Sequence, residues 1–276
     1  MKKFLVFILI GAVSARISDE KCEEYSERYK HIKNWGEFSH IGALGSYAGG
    51  DIDYNCPVVL ISESFALAGA FCFNNRRHVE NILFGISSTS ELGDDNNTWV
   101  HIVKTYTGPL YQKSRPSTRF PLVLIKFSPE ITVHDKLRPA CIYSKKLNVG
   151  QLLIDTVWTK NQDKKGTAYT RTVNRYKNEL LKVNSQVVPT EACKNRFTYQ
   201  YGIRIDDSNL CIKRDYRGSF TSHPDFAGVS HLYENNKIKV VAIDDFGPLE
   251  IGSKIPDISS RLSYYVDWIE DTVWGN

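Results

Sequence analysis

The sequence predicts an all-β protein closed by one C-terminal α-helix, and three observations support this. Short apolar runs recur in the first half, separated by Gly, Asn and Pro, as in a β-barrel. The stretch from Cys56 to Cys72 has the pattern of a hairpin with a cysteine at either end. Near the C-terminus, Tyr264, Trp268, Ile269 and Val273 recur at near-helical spacing. With 276 residues, 42% of them hydrophobic, the chain can bury a substantial core.

Residues 1–15 are predicted to be a secretory signal peptide. Lys2-Lys3 precedes the apolar run Phe4 to Val13, and Ser14-Ala15 supplies small residues suited to cleavage after Ala15. The alternative, a membrane anchor, is disfavoured because a span needs about twenty apolar residues. The protein is therefore expected to be secreted and extracellular, without a membrane partner.

The charge balance of the chain does not indicate a nucleic acid or an acidic membrane as its partner. Lys and Arg number 35 against 31 Asp and Glu, and the predicted signal holds two of the lysines. A balance so close to neutral gives no reason to propose nucleic acid or an acidic membrane surface. The basic segment from Lys160 to Lys165 is interpreted as a solvated loop.

The elements follow in order from residue 16. Residues 16–35 form a link, of which Cys22 to Lys33 is charged and weakly helical. A strand from Ile41, a turn at Gly49-Gly50 and a second strand into Cys56 come next. The hairpin and the later strands are predicted at Val58 to Ile61, Phe65 to Ala68, Ile82 to Ile86, Trp99 to Tyr106, Phe120 to Phe127 and Asn178 to Val188.

Six cysteines in an exported chain suggest three disulfides, but their number alone leaves the pairing open. No CxxC motif or closely spaced Cys/His cluster indicates structural zinc, and nothing indicates a cofactor. Asn96-Asn97-Thr98 is a glycosylation sequon in a polar loop, so Asn96 is a candidate glycosylation site.

Three blocks of the sequence resemble trypsin-like serine proteases of the S1 peptidase family. They are the Cys56 to Cys72 stretch, the run Phe120 to Phe127 followed by Arg138-Pro139-Ala140-Cys141, and Ile255 to Ile269. The resemblance covers about residues 36 to 274 and implies a domain over 36–276 with two six-stranded antiparallel β-barrels and a C-terminal α-helix. It is greatest to the secreted arthropod group of snake- and easter-like proteases and their homologues, here without a clip domain.

The resemblance also implies a disulfide pairing and further elements. Cys56 would pair with Cys72, Cys193 with Cys211, and Cys22 with Cys141. Gly150 to Trp158 would open the second barrel, and Pro189 to Cys193 would begin a short helix.

The catalytic triad implied by the resemblance is degenerate at every position. The general base falls at Phe71, the aspartate that orients it at Pro121, and the nucleophile at Ala227. Phenylalanine has no titratable nitrogen, and proline can neither accept the orienting hydrogen bond with its side chain nor donate one from its backbone. The sequence therefore predicts no catalytic residue.

The features that activate family members are replaced as well. The acidic residue that would receive a freed amino terminus falls at Phe226, the floor of the pocket at Thr221, and a further pocket position at Phe246. No activation site is found near Glu27 to Lys30, and the pair Arg16-Ile17 lies at the expected signal cleavage site.

The function expected from the resemblance is that of a secreted pseudoprotease. It would bind an extracellular protein partner, such as a protease, a zymogen or a protease inhibitor, as a regulator or decoy in a proteolytic cascade. Two alternatives stay open. One is residual serine endopeptidase activity through Ser222 or Ser230 with His223 or His231, and the other is a small-ligand carrier using the vacated pocket.

Overall fold

The strands of the N-terminal half close into a six-stranded antiparallel barrel in the order β1-β2-β3-β6-β5-β4. This computed structural model describes residues 15–32, 36–48, 51–73, 79–87, 98–109, 122–161, 177–215, 228–246 and 255–275. The strands of this first barrel are β1 Ile41–Ala48, β2 Asp51–Leu60, β3 Phe65–Gly69, β4 Val79–Phe84, β5 Thr98–Thr107 and β6 Leu122–Ser128. Every side chain of β3 is buried, which explains its continuous apolar sequence.

A second barrel follows, with strand order β11-β8-β9-β10-β13-β12, and pairing of β11 with β12 closes the ring. Its strands are β8 Leu152–Asn161, β9 Lys177–Val188, β10 Asn209–Arg214, β11 Gly228–Glu234, β12 Lys237–Phe246 and β13 Asp257–Arg261. The short strand β7, Cys141–Ile142, pairs in parallel with β12 at the edge of this sheet. The prediction of two six-stranded antiparallel barrels is thus confirmed.

Three helices complete the described part of the chain: α1 Ile17–Arg28, α2 Thr190–Tyr201 and α3 Leu262–Val273. The predicted C-terminal helix is α3, which buries Tyr265, Val266 and Ile269. None of the described helices is long and apolar enough to cross a membrane.

A shared apolar core joins the two barrels and α3. Leu67 and Leu124 of the first barrel pack with Val240 and Ile243 of the second, and Ile269 of α3 joins them. Two buried histidines also meet between the barrels. His40 directly precedes β1, His231 lies in β11, and their Nε2 atoms are 2.9 Å apart. The barrels therefore form one continuous interior.

Three disulfides are present, Cys22–Cys141, Cys56–Cys72 and Cys193–Cys211. These are the pairs that the family resemblance implies. Cys22–Cys141 closes the largest loop, with a sequence separation of 119 residues, and attaches α1 to β7.

The N-terminal link is more ordered than its sequence predicts, because α1 begins at Ile17 rather than near Cys22. Contacts with distant residues explain the difference. At the start of the helix, the backbone N–H and the hydroxyl of Ser18 both donate to Oε1 of Glu270 on α3, at 2.9 and 2.7 Å. Tertiary contacts thus extend a helix of weak intrinsic propensity.

Candidate functional site

Phe71, at the predicted position of the general base, lies in a 3₁₀-helix formed by Ala70–Phe73, directly after β3. The next residue, Cys72, is bridged to Cys56 on β2. The phenyl ring packs on the core of the first barrel and against Gly69. A Cβ atom at Gly69 would lie 2.6 Å from Cε1 of Phe71 and 3.1 Å from the carbonyl oxygen of Asp244. Phe71 therefore lies at the contact between β3 and β12, where the two barrels meet.

Several predicted positions lie outside the described residues. They are the triad positions Pro121 and Ala227, the pocket positions Thr221 and Phe226, the candidates Ser222 and His223, and the sequon residue Asn96. The chain is described from Leu122 in β6 and from Gly228 in β11, each one residue after a triad position. Phe246 ends β12, and its backbone pairs with Ile258 of β13.

A buried ionic cluster lies in the second barrel beside Phe246. Its centre is Arg214, whose side chain is 3% exposed. Nε lies 2.5 Å from Asp155, Nη2 lies 2.5 Å from Asp244, and Nη1 lies 2.8 Å from Asp257. One guanidinium therefore joins strands β8, β10, β12 and β13.

Hydroxyl groups and one backbone amide complete this Arg214 cluster. Ser185 of β9 donates to Asp155 at 2.8 Å, and Ser259 donates to Asp244 at 2.7 Å. The N–H of Gly228, the first residue of β11, donates to Oδ2 of Asp244 at 2.6 Å. All six strands of the second barrel thus contribute a group to this buried cluster.

Strand alternation explains why these residues meet. Residues two apart on a strand share a face. Four residues of the apolar interior lie two positions from cluster members on β8, β9, β10 and β12, namely Leu153, Val187, Ile212 and Ala242. The barrel interior therefore changes from an apolar core to the Arg214 cluster towards one end.

Burial dominates the protonation of the carboxyl groups. Desolvation raises the pKa of Asp155 despite the attraction of Arg214, and it raises that of Asp257 to about 7 for the same reason. The hydroxyl of Ser260 donates a hydrogen bond to Asp245 at 2.7 Å, and burial raises the pKa of Asp245 well above the usual range. Burial therefore favours the neutral form of these carboxyl groups.

Glycine is required at position 228 because of this cluster. A Cβ atom there would lie 2.7 Å from Nη2 of Arg214 and 2.9 Å from Oδ2 of Asp244. The residue after the predicted nucleophile position is thus closely packed against internal charges.

Ser230 and His231, considered above as nucleophile and base, are both fully buried on β11. As consecutive strand residues they point to opposite faces. Ser230 faces Asp155, whereas His231 contacts the carbonyl oxygen of Ile154 through Nδ1 at 3.1 Å and His40 through Nε2. Burial lowers the pKa of His231 to about 4 and that of His40 well below its usual value. The two side chains do not form a nucleophile and base pair.

The N-terminal positions considered for activation are held in α1. Arg16 caps the helix and contacts Asp267 at 2.5 Å and Glu270 at 3.5 Å. At the other end, Arg28 ends α1 and pairs with Glu63 at 3.0 Å.

Sequence reasoning missed the Arg214 cluster, although one signal for it was present. Asp244-Asp245 ends the apolar run Val240 to Ile243, where an ordinary buried strand would continue with apolar residues. Among the described residues, no group of three or more His, Cys, Asp or Glu side chains is arranged to hold a metal ion.

Two cavities lie elsewhere on the described surface. One of about 240 Å³ is bounded by α1, His40 and Arg138. The other, of about 350 Å³, is bounded by Phe38, Ile86 and Leu180.

Comparisons with known proteins agree with this architecture. The family model described as Trypsin matches residues 34–269. Serine protease snk of Drosophila melanogaster is 25% identical, over 94% of this chain and 65% of that protein. Kallikrein 1-related peptidase-like b4 of Mus musculus is 21% identical, over 81% of this chain and 83% of that protein.

Two further matches differ in how much they cover. Serine protease Hayan of Drosophila melanogaster is 21% identical over 87% of this chain, which spans only 38% of its length. The solved structure of neuropsin, a serine protease expressed in the limbic system of mouse brain, superposes with a TM-score of 0.62 and 18% identity. That superposition covers 85% of this chain and 94% of neuropsin, and it supports the fold alone. The chain belongs to the trypsin family of serine proteases.

Proposed function

We propose that this chain is a secreted, catalytically inactive member of the trypsin family that acts by binding another protein. In this role it regulates an extracellular proteolytic cascade or serves as a decoy in one. Its partner would be an active protease, a zymogen or a protease inhibitor.

The observation that carries the proposal is Phe71. The Cys56–Cys72 disulfide fixes the chain next to it, so the assignment of Phe71 to the position of the base does not depend on where the nucleophile lies. A phenyl ring can neither take a proton from a nucleophile nor return it to a leaving group. In a comparable triad, loss of the base alone costs roughly a millionfold in turnover.

The Arg214 cluster supports the same conclusion. A pocket that accepts a substrate side chain needs open volume and unpaired polar groups. At the end of β12 the barrel interior is instead occupied by Arg214, which pairs with both Asp244 and Asp257. This occupied interior favours binding through the protein surface.

Secretion is supported by the predicted signal peptide and by the disulfides. All six cysteines are paired, which is typical of proteins that fold in an oxidising compartment.

Inactivity is tested by labelling the purified protein with a fluorophosphonate probe, beside active trypsin at equal concentration. We expect labelling of trypsin and none of this chain. Labelling at one serine, abolished by Ser222→Ala or Ser230→Ala, would instead establish residual endopeptidase activity.

Partner binding is tested by a crosslinked pull-down with the tagged protein from the secretions of its source, analysed by mass spectrometry. We expect a protease, a zymogen or a protease inhibitor. Recovery of no specific protein, together with a thermal shift on adding a metabolite, would favour a small-ligand carrier and overturn the proposal.

A further inference from the structure

The outer surface of the first barrel carries an exposed apolar side chain at an irregularity of β5. The pairing of β5 with β6 shifts register between Ile102 and Lys104, so Val103 has no partner on β6. Its side chain is 62% exposed. A bulge of this kind redirects a side chain away from the regular pleat, and such features recur near functional sites.

Beside this bulge, two lysines lie directly opposite each other. Lys104 of β5 pairs with Lys126 of β6, which in turn pairs with Phe65 of β3. Both lysines are exposed. Like charges in direct cross-strand register destabilise a sheet, so the arrangement has a cost for the isolated protein.

Aromatic rings, rather than carboxylates, hold the two ammonium groups. Nζ of Lys104 lies 4.6 Å from the ring centre of Tyr106, and Nζ of Lys126 lies 5.9 Å from that of Phe65. Within the part of the chain that the structure describes, neither ammonium group is within salt-bridge distance of a carboxylate. A cation–π contact leaves the ammonium group charged, and because both lysines are exposed, their charge can still pair with an anion.

We propose that Val103, Lys104, Tyr106 and Lys126 form a docking surface for an acidic segment of a partner protein. Carboxylates of that segment pair with the lysines, and an apolar side chain covers Val103. The inference rests on the proposed function, because it names the surface through which the protein partner is held.

The exposed apolar side chain of Val103 selects a protein segment over other anions. A sulfated polysaccharide would use the lysines alone and would leave Val103 exposed. Because the first barrel is closed, β5 has neighbours on both sides and offers no free edge for an added strand. Recognition therefore depends on side chains, and it is sensitive to salt because exposed charges are screened.

The probe is a random copolymer of glutamate and tyrosine, compared with polyglutamate and with heparin. Each is immobilised, and binding of the whole mature protein is measured by interferometry at low and at physiological salt. In the double variant Lys104→Gln, Lys126→Gln we expect affinity for the copolymer to fall by about tenfold or more. Val103→Ser should weaken binding of the copolymer more than that of polyglutamate.

A matched control changes net charge equally at a distant place. This control is the double variant Lys30→Gln, Lys194→Gln. Each of these lysines pairs with a glutamate three residues earlier in the chain. Unchanged affinity in this control, with an unchanged circular dichroism spectrum in every variant, supports the proposal.

If both double variants bind the copolymer equally less tightly, the attraction comes from net charge, and the proposed docking surface is overturned. Heparin binding that needs Lys104 and Lys126, with no copolymer binding, would also overturn it in favour of a polysaccharide site. Failure here is distinct from failure of the proposed function. If the Lys104, Lys126 variant still recovers the same protein in the pull-down, the function stands and this surface is wrong.

Discussion

Nη2 of Arg214 lies 2.5 Å from Oδ2 of Asp244, and both side chains are buried at one end of the second barrel. Asp155 and Asp257 approach the same guanidinium from two other strands. Burying ions costs several kcal/mol each, and mutual pairing offsets this cost only where the geometry is close and the remaining hydrogen bonds are made. The end of the barrel near Phe246 therefore depends on Arg214.

Replacing Arg214 with methionine is expected to destabilise the protein by about 3–5 kcal/mol, because it leaves buried carboxyl groups without their cation. The measurement is urea unfolding followed by circular dichroism. Arg204→Met is the matched control, because Arg204 is 71% exposed and lies 3.7 Å from Asp206, and a loss of less than about 1 kcal/mol is expected there. Equal effects of the two substitutions would contradict this account of the cluster.

The pair of His40 and His231 predicts a loss of stability in mild acid. The pKa of His231 in the folded protein, about 4, is below that of an unfolded histidine, about 6.5. The unfolded chain therefore binds more protons between these values, and stability falls as the pH drops from about 6.5 to 4, by up to roughly 1.4 kcal/mol per pH unit for each histidine.

The double variant His40→Phe, His231→Phe should lose this part of the pH dependence, as measured by unfolding at pH 7, 6 and 5. His31→Gln, at an exposed histidine, is the control and should follow the wild type. Parallel curves for the wild type and the double variant would refute the prediction.

The raised pKa of Asp257 predicts a pH dependence of stability with the opposite sign. Its pKa of about 7 in the folded protein exceeds the unfolded value of about 3.8, so the folded state binds the extra proton and this group's contribution to stability falls as the pH rises from about 4 to 7. Asp257→Asn cannot ionise and should gain stability relative to the wild type over that range, on the order of 1 kcal/mol per pH unit.

Thermal unfolding at intervals between pH 4 and 8 tests this prediction for Asp257. Asp271→Asn, at an exposed position of α3, serves as the control. If the difference between Asp257→Asn and the wild type does not change with pH, the prediction fails.

Glu63, in the turn between β2 and β3, is predicted to hold α1 on the first barrel. Its carboxylate accepts hydrogen bonds from Tyr25 at 3.2 Å, from Tyr29 at 3.1 Å and from Arg28 at 3.0 Å. Glu63→Gln removes the charge and one acceptor oxygen, so a loss of about 1–3 kcal/mol is expected. Faster nicking of the chain between α1 and β1 by an added protease should accompany it.

Glu130→Gln, at an exposed glutamate, provides the comparison for this test. Identical stability and identical nicking of the two variants would show that the Cys22–Cys141 disulfide alone holds the helix.

The sequence by itself determined the fold. The apolar hairpin from Cys56 to Cys72, the regularly spaced strands and the amphipathic pattern from Tyr264 to Val273 predicted an all-β chain with the helix α3, because the order of residues specifies locally which face of a strand or helix is buried. The arrangement in two barrels was implied by the resemblance to trypsin-like proteases. The resemblance also predicts that Phe71 occupies the position of the general base, because Cys72 follows it directly in the motif.

Only the tertiary structure decided what occupies the region beside Phe246. Asp155, Arg214, Asp244 and Asp257 come from four strands spread over about a hundred residues, and apart from the position of Asp244 after an apolar run, nothing in their segments indicates a buried cluster. Barrel closure brings them to one interior face, where low polarity makes their pairing obligatory. The same holds for His40 and His231, and for Lys104 and Lys126, because register across strands is set by long-range packing that no short stretch of sequence specifies.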